Sequence, residues 1–293
     1  MIKGTTKLLG VVGYPIGHSL SPVMHNAAIE HLKADYVYVP FSVRPEDLAA
    51  ALRGFEAMGV KGFSVTIPHK QTIMPLLTEV APEARLAGAV NAVWRTQSGW
   101  KGTNYDSFGF VAPLKAMDRD WKAVTPVILG IGGAARSVVV GCHSLGCPEV
   151  HVLGRNPDKL AAFAESWRNT PVQQVLRVHS WDELEGMIPR AGLIINATPM
   201  GMHPKVDQMP VSEEMIGKIL PGTIVYDLIY APRPTLFLDK AKRNGAIIVD
   251  GLEMLVQQGA KALEIWLDQA VPIDIMREAL LGQSTPGAGG RGS

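Results

Sequence analysis

Thr125 to Arg136 reads TPVILGIGGAAR, and the fold turns on it. Thr125 to Leu129 is an apolar run of strand length, and it passes without a break into Gly130-Ile131-Gly132-Gly133-Ala134-Ala135, a match to G-x-G-x-x-A. Gly130 permits a tight turn, Gly132 lets backbone approach a pyrophosphate, and Ala135 allows the next helix to pack closely on the strand. A helix over Ala134 to Leu145 then aims its first N–H groups at phosphate oxygens. A glycine cluster alone says little. This one follows a strand, opens a helix and meets a second apolar run, Val150 to Leu153, about twenty residues on, so it predicts a dinucleotide site.

Outward from this stretch, Gly192 to Asn196, Thr223 to Asp227 and Ala246 to Asp250 are further short apolar runs separated by helical or turn-rich segments. Strands in that rhythm suit a doubly wound, parallel Rossmann-type sheet. The end of the second strand selects the dinucleotide. An acidic residue there would accept the ribose 2′-hydroxyl and repel a 2′-phosphate, but the strand ends in Gly154-Arg155-Asn156, with Lys159 a helical turn later. A guanidinium at Arg155 can stack on adenine and pair with a phosphate dianion, which predicts NADP. An ordinary surface arginine beside Asp158 is the other reading.

The first hundred residues form a smaller α/β pattern. Strands are expected at Leu8 to Gly13, Asp35 to Phe41 and Gly62 to Ile67, and a short pair at Ala89 to Arg95 and Gly99 to Gly102 turns at Gln97 and Ser98. Between them lie a helix from Pro22 to His31, with Ser21 as its N-cap, and another from Pro45 to Met58. Phe108 to Met117 leads out as a helix, and after Asp250 the pattern becomes helical again with no strand following. The fold class is α/β with two domains: an N-terminal α/β substrate domain and a doubly wound Rossmann-type NADP-binding domain, with C-terminal helices packing back on the first. The expected boundaries are 1–108 plus about 252–281 for the substrate domain and 109–251 for the NADP domain.

The length of 293 residues agrees with about two domains, and 47% hydrophobic with 19% charged residues is an ordinary globular balance. A formal charge of +1 gives no general attraction to nucleic acid or anionic membrane, so an anion must be held locally. Cys142 and Cys147 have no histidine pair at metal-ligand spacing and read as packing residues in a reducing compartment, with no metal expected. Glycine and proline interrupt the N-terminus before a signal peptide forms, and no window reaches the length of a membrane span, so the expectation is a cytoplasmic protein with no membrane or nucleic-acid partner. The tail Gly282 to Ser293, GQSTPGAGGRGS, reads as disordered.

Polar residues cluster in the first domain. Ser19 and Ser21 stand two apart ahead of a helix, where both hydroxyls can face one carboxylate, although Ser21 alone also reads as helix-start chemistry. Thr66 and Lys70 follow a strand in FSVTIPHK. Asn91 and Asp106 read singly as a strand-end amide and a helix cap. Together they offer an ammonium, a carboxylate and several hydrogen-bonding groups, a mixture suited to a small polyhydroxylated acid.

These residues sit in eight segments that resemble the shikimate 5-dehydrogenase family: GYPIGHSLSPVMHNAA, VTIPHK, AVNAV, GTNYDSFGF, GIGGAAR, INATPMGM, VYDLIYAPRPT and DGLEMLVQQGAKALEIW. The likeness runs from Val12 to about Leu281, with Tyr105 where the family usually has threonine and Gly154 where asparagine commonly precedes the arginine. The resemblance implies an oxidoreductase that reduces 3-dehydroshikimate to shikimate with NADPH, on the route to chorismate and the aromatic amino acids. It implies that Ser19 and Ser21 hold the carboxylate, with Tyr230 nearby, and that Thr66, Lys70, Asn91, Asp106 and Gln258 hold the ring hydroxyls and reacting carbonyl. It implies a dinucleotide held by Gly130, Ile131, Gly132, Gly133 and Ala134 and by Gly154, Arg155, Asn156 and Lys159. Leu228 and Gly251 would lie at the nicotinamide, and Met200 and Met202 along the ring's path.

Lys70 is then the expected proton donor to an oxygen that gains charge as hydride arrives, with Asp106 as its coupled partner. A mixed quinate/shikimate dehydrogenase and a non-catalytic NADP sensor are the competing readings, and a sensor would need neither Lys70 nor Asp106. The expected assembly is a monomer or homodimer.

Overall fold

The computed structural model of the chain describes residues 1–282, so the tail beyond Gly282 lies outside the described residues. Two compact units form, residues 1–109 with 255–282, and residues 110–254.

In the first unit the strands are β1 (Lys7–Gly13), β2 (Tyr36–Ser42), β3 (Gly62–Val65), β4 (Glu79–Val80), β5 (Ala92–Thr96) and β6 (Gly99–Thr103), in the spatial order β2-β1-β3-β5-β6-β4. β1 is parallel to both β2 and β3, whereas β5 is antiparallel to β3 and β6. The β5–β6 hairpin pairs Thr96 with Gly99 and turns at Gln97 and Ser98, with Gly99 at a φ of 132° that suits glycine. Val12, Phe63, Val65 and Val93 from β1, β3 and β5 form the core with Leu48, Leu52 and Phe55 of helix Leu48–Ala57, and Phe63 lies edge-on to Trp100 of β6. The C-terminal segment belongs to this unit. Trp266 donates its indole N–H to the Val93 carbonyl at 3.0 Å, and helix Ile273–Leu281 packs on helix Ser21–His31.

Two local expectations are corrected here. β3 stops at Val65, because the Thr66 carbonyl accepts the His69 N–H at 2.9 Å and turns the chain into the single helical turn His69–Thr72. Lys70 is thus the second residue of that helical turn. Ser21 is the first residue of its helix, with Leu20 at the N-cap position and no side-chain cap.

In the second unit the strands are β7 (Pro126–Leu129), β8 (Val150–Gly154), β9 (Leu176–Ser180), β10 (Leu193–Asn196), β11 (Ile224–Asp227) and β12 (Ile247–Val249). All pairs are parallel, in the order β12-β11-β10-β7-β8-β9. The apolar-run reading missed β9. As an edge strand, its residues Leu176 and Val178 alternate with Arg177 and His179, and alternation was the available signal. Strand order reverses between β7 and β10, and ligands of such sheets bind outside the carboxyl ends at that point. Among the described residues no helix is long and apolar enough to cross a membrane, and no His, Cys, Asp and Glu cluster could hold a metal ion.

Candidate active site

In the first unit, a strand start, two helix starts and the interior of helix Leu252–Leu267 bring four of the expected side chains into one hydrogen-bonded chain. Lys70 Nζ donates to Asp106 Oδ2 at 2.5 Å. Asn91, just ahead of β5, donates through Nδ2 to Asp106 Oδ1 at 2.9 Å and to Gln258 Oε1 at 3.0 Å. The Asn91 Oδ1 in turn accepts the Tyr105 backbone N–H at 2.8 Å, and Gln258 Nε2 donates to the Leu255 carbonyl at 2.8 Å, so both amides have one orientation. Asp106 opens helix Asp106–Lys115, and its own N–H is held by Asn104 Oδ1 at 3.0 Å. The side chains of Lys70 and Asp106 are 16% and 6% exposed, so this ion pair is largely withdrawn from water yet still reachable from it. Tyr105 serves the network through its backbone N–H, a role that makes no demand on its side chain.

The two serines are adjacent, with the Ser19 hydroxyl oxygen accepting the Ser21 N–H at 3.3 Å. Ser21 is 6% exposed, and among the described residues neither its hydroxyl nor that of Thr66 makes a hydrogen bond. Thr66 packs toward Gly13, where an added Cβ would stand 2.5 Å from its methyl group. His25 was absent from the sequence reading. It is buried, stacks on Tyr38 with centroids 4.1 Å apart, and bonds through Nδ1 to the Ser21 carbonyl at 2.8 Å. Burial pushes its imidazole down to about 4, so it buttresses this helix start as a neutral ring.

In the second unit, Gly130 follows β7 with a φ of 111°, and a Cβ there would stand 3.1 Å from the Ala197 carbonyl oxygen. Helix Gly133–Ser144 begins after Gly132, which provides no side-chain cap and whose Cβ direction is open space. Uncapped N–H groups beside open space fit a dinucleotide phosphate, and Ile131, Gly133 and Ala134 complete that turn. Ala135 is fully buried. Gly154 ends β8 where a Cβ would meet Leu160 at 2.8 Å and Ile131 at 3.2 Å, so those two side chains occupy the space an asparagine would take. Asn156 accepts the Lys159 N–H through Oδ1 at 2.9 Å, as the N-cap of helix Pro157–Glu165. Arg155 is exposed, with its guanidinium over the Trp181 ring.

Leu228 and Gly251 touch directly, since any Cβ on Gly251 would overlap the Leu228 carbonyl. Tyr230 lies on the same segment after β11, in residues 110–254, whereas Ser19 and Ser21 belong to the other unit. Beneath this segment lies a network the sequence reading did not single out. Asp227, fully buried at the end of β11, accepts from Thr235 Oγ1 at 2.7 Å, Asn196 Nδ2 at 3.0 Å and the Ile229 N–H at 3.1 Å. Burial pushes its carboxyl up to about 7 against the pull of those donors. Asn196 also donates to the Met200 carbonyl at 3.0 Å, which fixes the turn toward Met200 and Met202. The signal was present in INATPMGM and VYDLIY, an amide and a carboxylate each closing an apolar strand.

Comparison with known proteins places this geometry. Residues 11–93 match the family model of the shikimate dehydrogenase substrate binding domain, and residues 251–281 that of the shikimate 5′-dehydrogenase C-terminal domain. The shikimate dehydrogenase (NADP(+)) of Gloeothece citriformis is 58% identical over 96% of this chain and 97% of its own. That of Microcystis aeruginosa is 59% identical over 97% and 99%. Among solved structures, a shikimate dehydrogenase in complex with NADP+ superimposes with a TM-score of 0.86 at 37% identity over 96% of each chain. The Thermus thermophilus enzyme in complex with NADP(H) and shikimate gives 0.82 at 32% identity over 94% and 99%. A 5-ketofructose reductase of Gluconobacter gives 0.81 at 30% over 95% and 99%.

Proposed function

The chain belongs to the shikimate dehydrogenase family, and from that premise we propose that it reduces 3-dehydroshikimate reversibly to shikimate with NADPH, in the pathway to the aromatic amino acids. The observation that carries the reading is the Lys70–Asp106 pair tied through Asn91 to Gln258. A protein that only sensed the dinucleotide would need no such arrangement.

NADPH supplies a hydride when bound. Ser19 and Ser21 hold the substrate carboxylate with their hydroxyls. Thr66, Asn91 and Gln258 hold the ring hydroxyls. Lys70 gives its Nζ proton to the carbonyl oxygen as that oxygen becomes an alkoxide. Asp106 keeps the ammonium aimed and Asn91 keeps Asp106 aimed, so the donor needs no reorganisation as charge develops. Gly130 to Ala134 receive the pyrophosphate on backbone N–H groups, and Arg155 with Asn156 and Lys159 receives the 2′-phosphate end. Leu228 and Gly251 line the nicotinamide. Free thiols at Cys142 and Cys147 suit a reducing cytoplasm, where the chain acts as a monomer or homodimer.

The test is absorbance of NADPH with shikimate, quinate and 5-ketofructose in turn, each with NADP and with NAD. Turnover of shikimate with NADP well above the others is the expected result. Comparable kcat/KM for quinate would make the enzyme one of mixed specificity, and no turnover of any of them would leave a sensor.

A further inference from the structure

Arg155 does not leave the end of β8 as a free side chain. Its guanidinium carbon lies 4.6 Å from the centroid of the Trp181 ring, and among the described residues it makes no hydrogen bond or ion pair. The sheet register explains the meeting. β8 and β9 are parallel neighbours with Gly154 opposite Ser180, so the next residue on each strand, Arg155 and Trp181, emerges at the same level of the carboxyl edge.

The indole is held firmly. It packs on the core cluster that contains Leu153, Leu184 and Ile188. Its own turn is closed by a capping box, with the Ser180 N–H donating to Glu183 Oε1 at 3.0 Å and the Ser180 hydroxyl capping in return. The second oxygen of Glu183 bonds His179 Nδ1 at 3.0 Å, which ties that carboxylate back toward β9. Asp182 also faces the turn, with the Ser180 hydroxyl 3.4 Å away.

A cation over an indole face is attracted without being neutralised. Had a carboxylate held Arg155, its charge would be satisfied and a phosphate would have to displace the partner. Stacking engages only the face of the guanidinium, so its in-plane N–H donors stay available. An exposed arginine otherwise samples many rotamers, and that freedom is lost on binding.

We propose that Trp181 is the positioning residue for dinucleotide choice: it pre-orders the Arg155 guanidinium for the 2′-phosphate, and the preference for NADP over NAD resides in the pair. The inference rests on the reading of Arg155 as the 2′-phosphate residue. It predicts that loss of the ring acts on ligands carrying a 2′-phosphate and spares those without one.

The experiment measures calorimetric affinity of the full chain for adenosine 2′,5′-bisphosphate and for 5′-AMP, in wild type, Trp181→Phe, Trp181→Leu and Arg155→Ala. Arg155→Ala should lower the bisphosphate preference about tenfold or more. Trp181→Leu should lower it about three- to tenfold with 5′-AMP unchanged, and Trp181→Phe should fall between, since indole attracts a cation best. A Trp181→Leu protein with wild-type preference, or one that loses both ligands equally, overturns the proposal and makes the indole a packing residue only. If Trp181→Leu does not fold, Trp181→Phe decides, and an unchanged ratio there overturns it. An Arg155→Ala protein with unchanged ratio sinks the reading of Arg155 itself, whereas loss in Arg155→Ala with none in the Trp181 variants sinks only the role of the ring.

Discussion

The Nζ of Lys70 lies 2.5 Å from Oδ2 of Asp106, thirty-six residues further along the chain, and Asn91 occupies the other carboxylate oxygen. Neither charge can turn away without leaving the other half-buried and unpaired. Lys70→Ala is therefore expected to lower kcat by about 100- to 10,000-fold while KM for shikimate changes much less. Steady-state kinetics in both directions check it. A loss confined to KM would recast Lys70 as a binding residue.

Ser19 is half-buried, and among the described residues its hydroxyl accepts only the 3.3 Å bond from the Ser21 N–H. Ser19→Ala should raise KM for shikimate about 10- to 100-fold, the size expected for a hydrogen bond to a charged group, with KM for NADP unchanged. Equal rises for both ligands would point to a general loss of structure.

Gly251 has no room for a side chain, because a Cβ would overlap the Leu228 carbonyl. The neighbour is backbone and cannot swing aside, so Gly251→Ala is expected to cost about 2–3 kcal/mol of unfolding free energy. Dissociation constants for NADP should rise, because Leu228 has to move. Urea unfolding and a fluorescence titration with NADP test the two effects separately, and an unperturbed variant in both would contradict the packing.

Asp227 gives the pH prediction. Its carboxyl is raised to about 7 in the folded chain, from the ordinary aspartate value of 3.8. Below that lower value both states hold the proton and the contribution to stability is complete. As pH rises, the unfolded chain releases its proton first, so the contribution declines until pH passes the folded value. The stability of wild type relative to Asp227→Asn should fall by about 3 kcal/mol between pH 5 and pH 8. Urea midpoints across that range measure it, and parallel pH profiles for the two proteins would refute it.

The nucleotide unit was the more legible half of the chain. TPVIL followed by GIGGAAR states its own geometry, because a glycine at a φ of 111° and an uncapped helix start are consequences of adjacent residues. β9 escaped because an edge strand is only half covered and its sequence carries polar residues on the open side. Ser21 looked like a cap because serine caps helices in general. Here the helix begins one residue earlier, and the hydroxyl is left for another use.

The substrate unit was legible in its residues and not in its contacts. Lys70, Asn91, Asp106 and Gln258 could each be named, but the bond between Asn91 and Gln258 joins groups 167 residues apart. No local pattern encodes that distance, since it depends on where a helix after the second sheet returns. His25 under Ser21, the Asp227–Asn196 pair and the Trp181 ring under Arg155 share that character.

By itself, then, the sequence determined the strand and helix rhythm, the phosphate turn and the inventory of chemical groups, because backbone preference and hydrophobic period act over a few residues. Tertiary structure decided which groups meet. Register put Arg155 beside Trp181, and chain path put Asp106 against Lys70. Burial decided the protonation of His25 and Asp227, since desolvation is a property of the surroundings and not of the side chain.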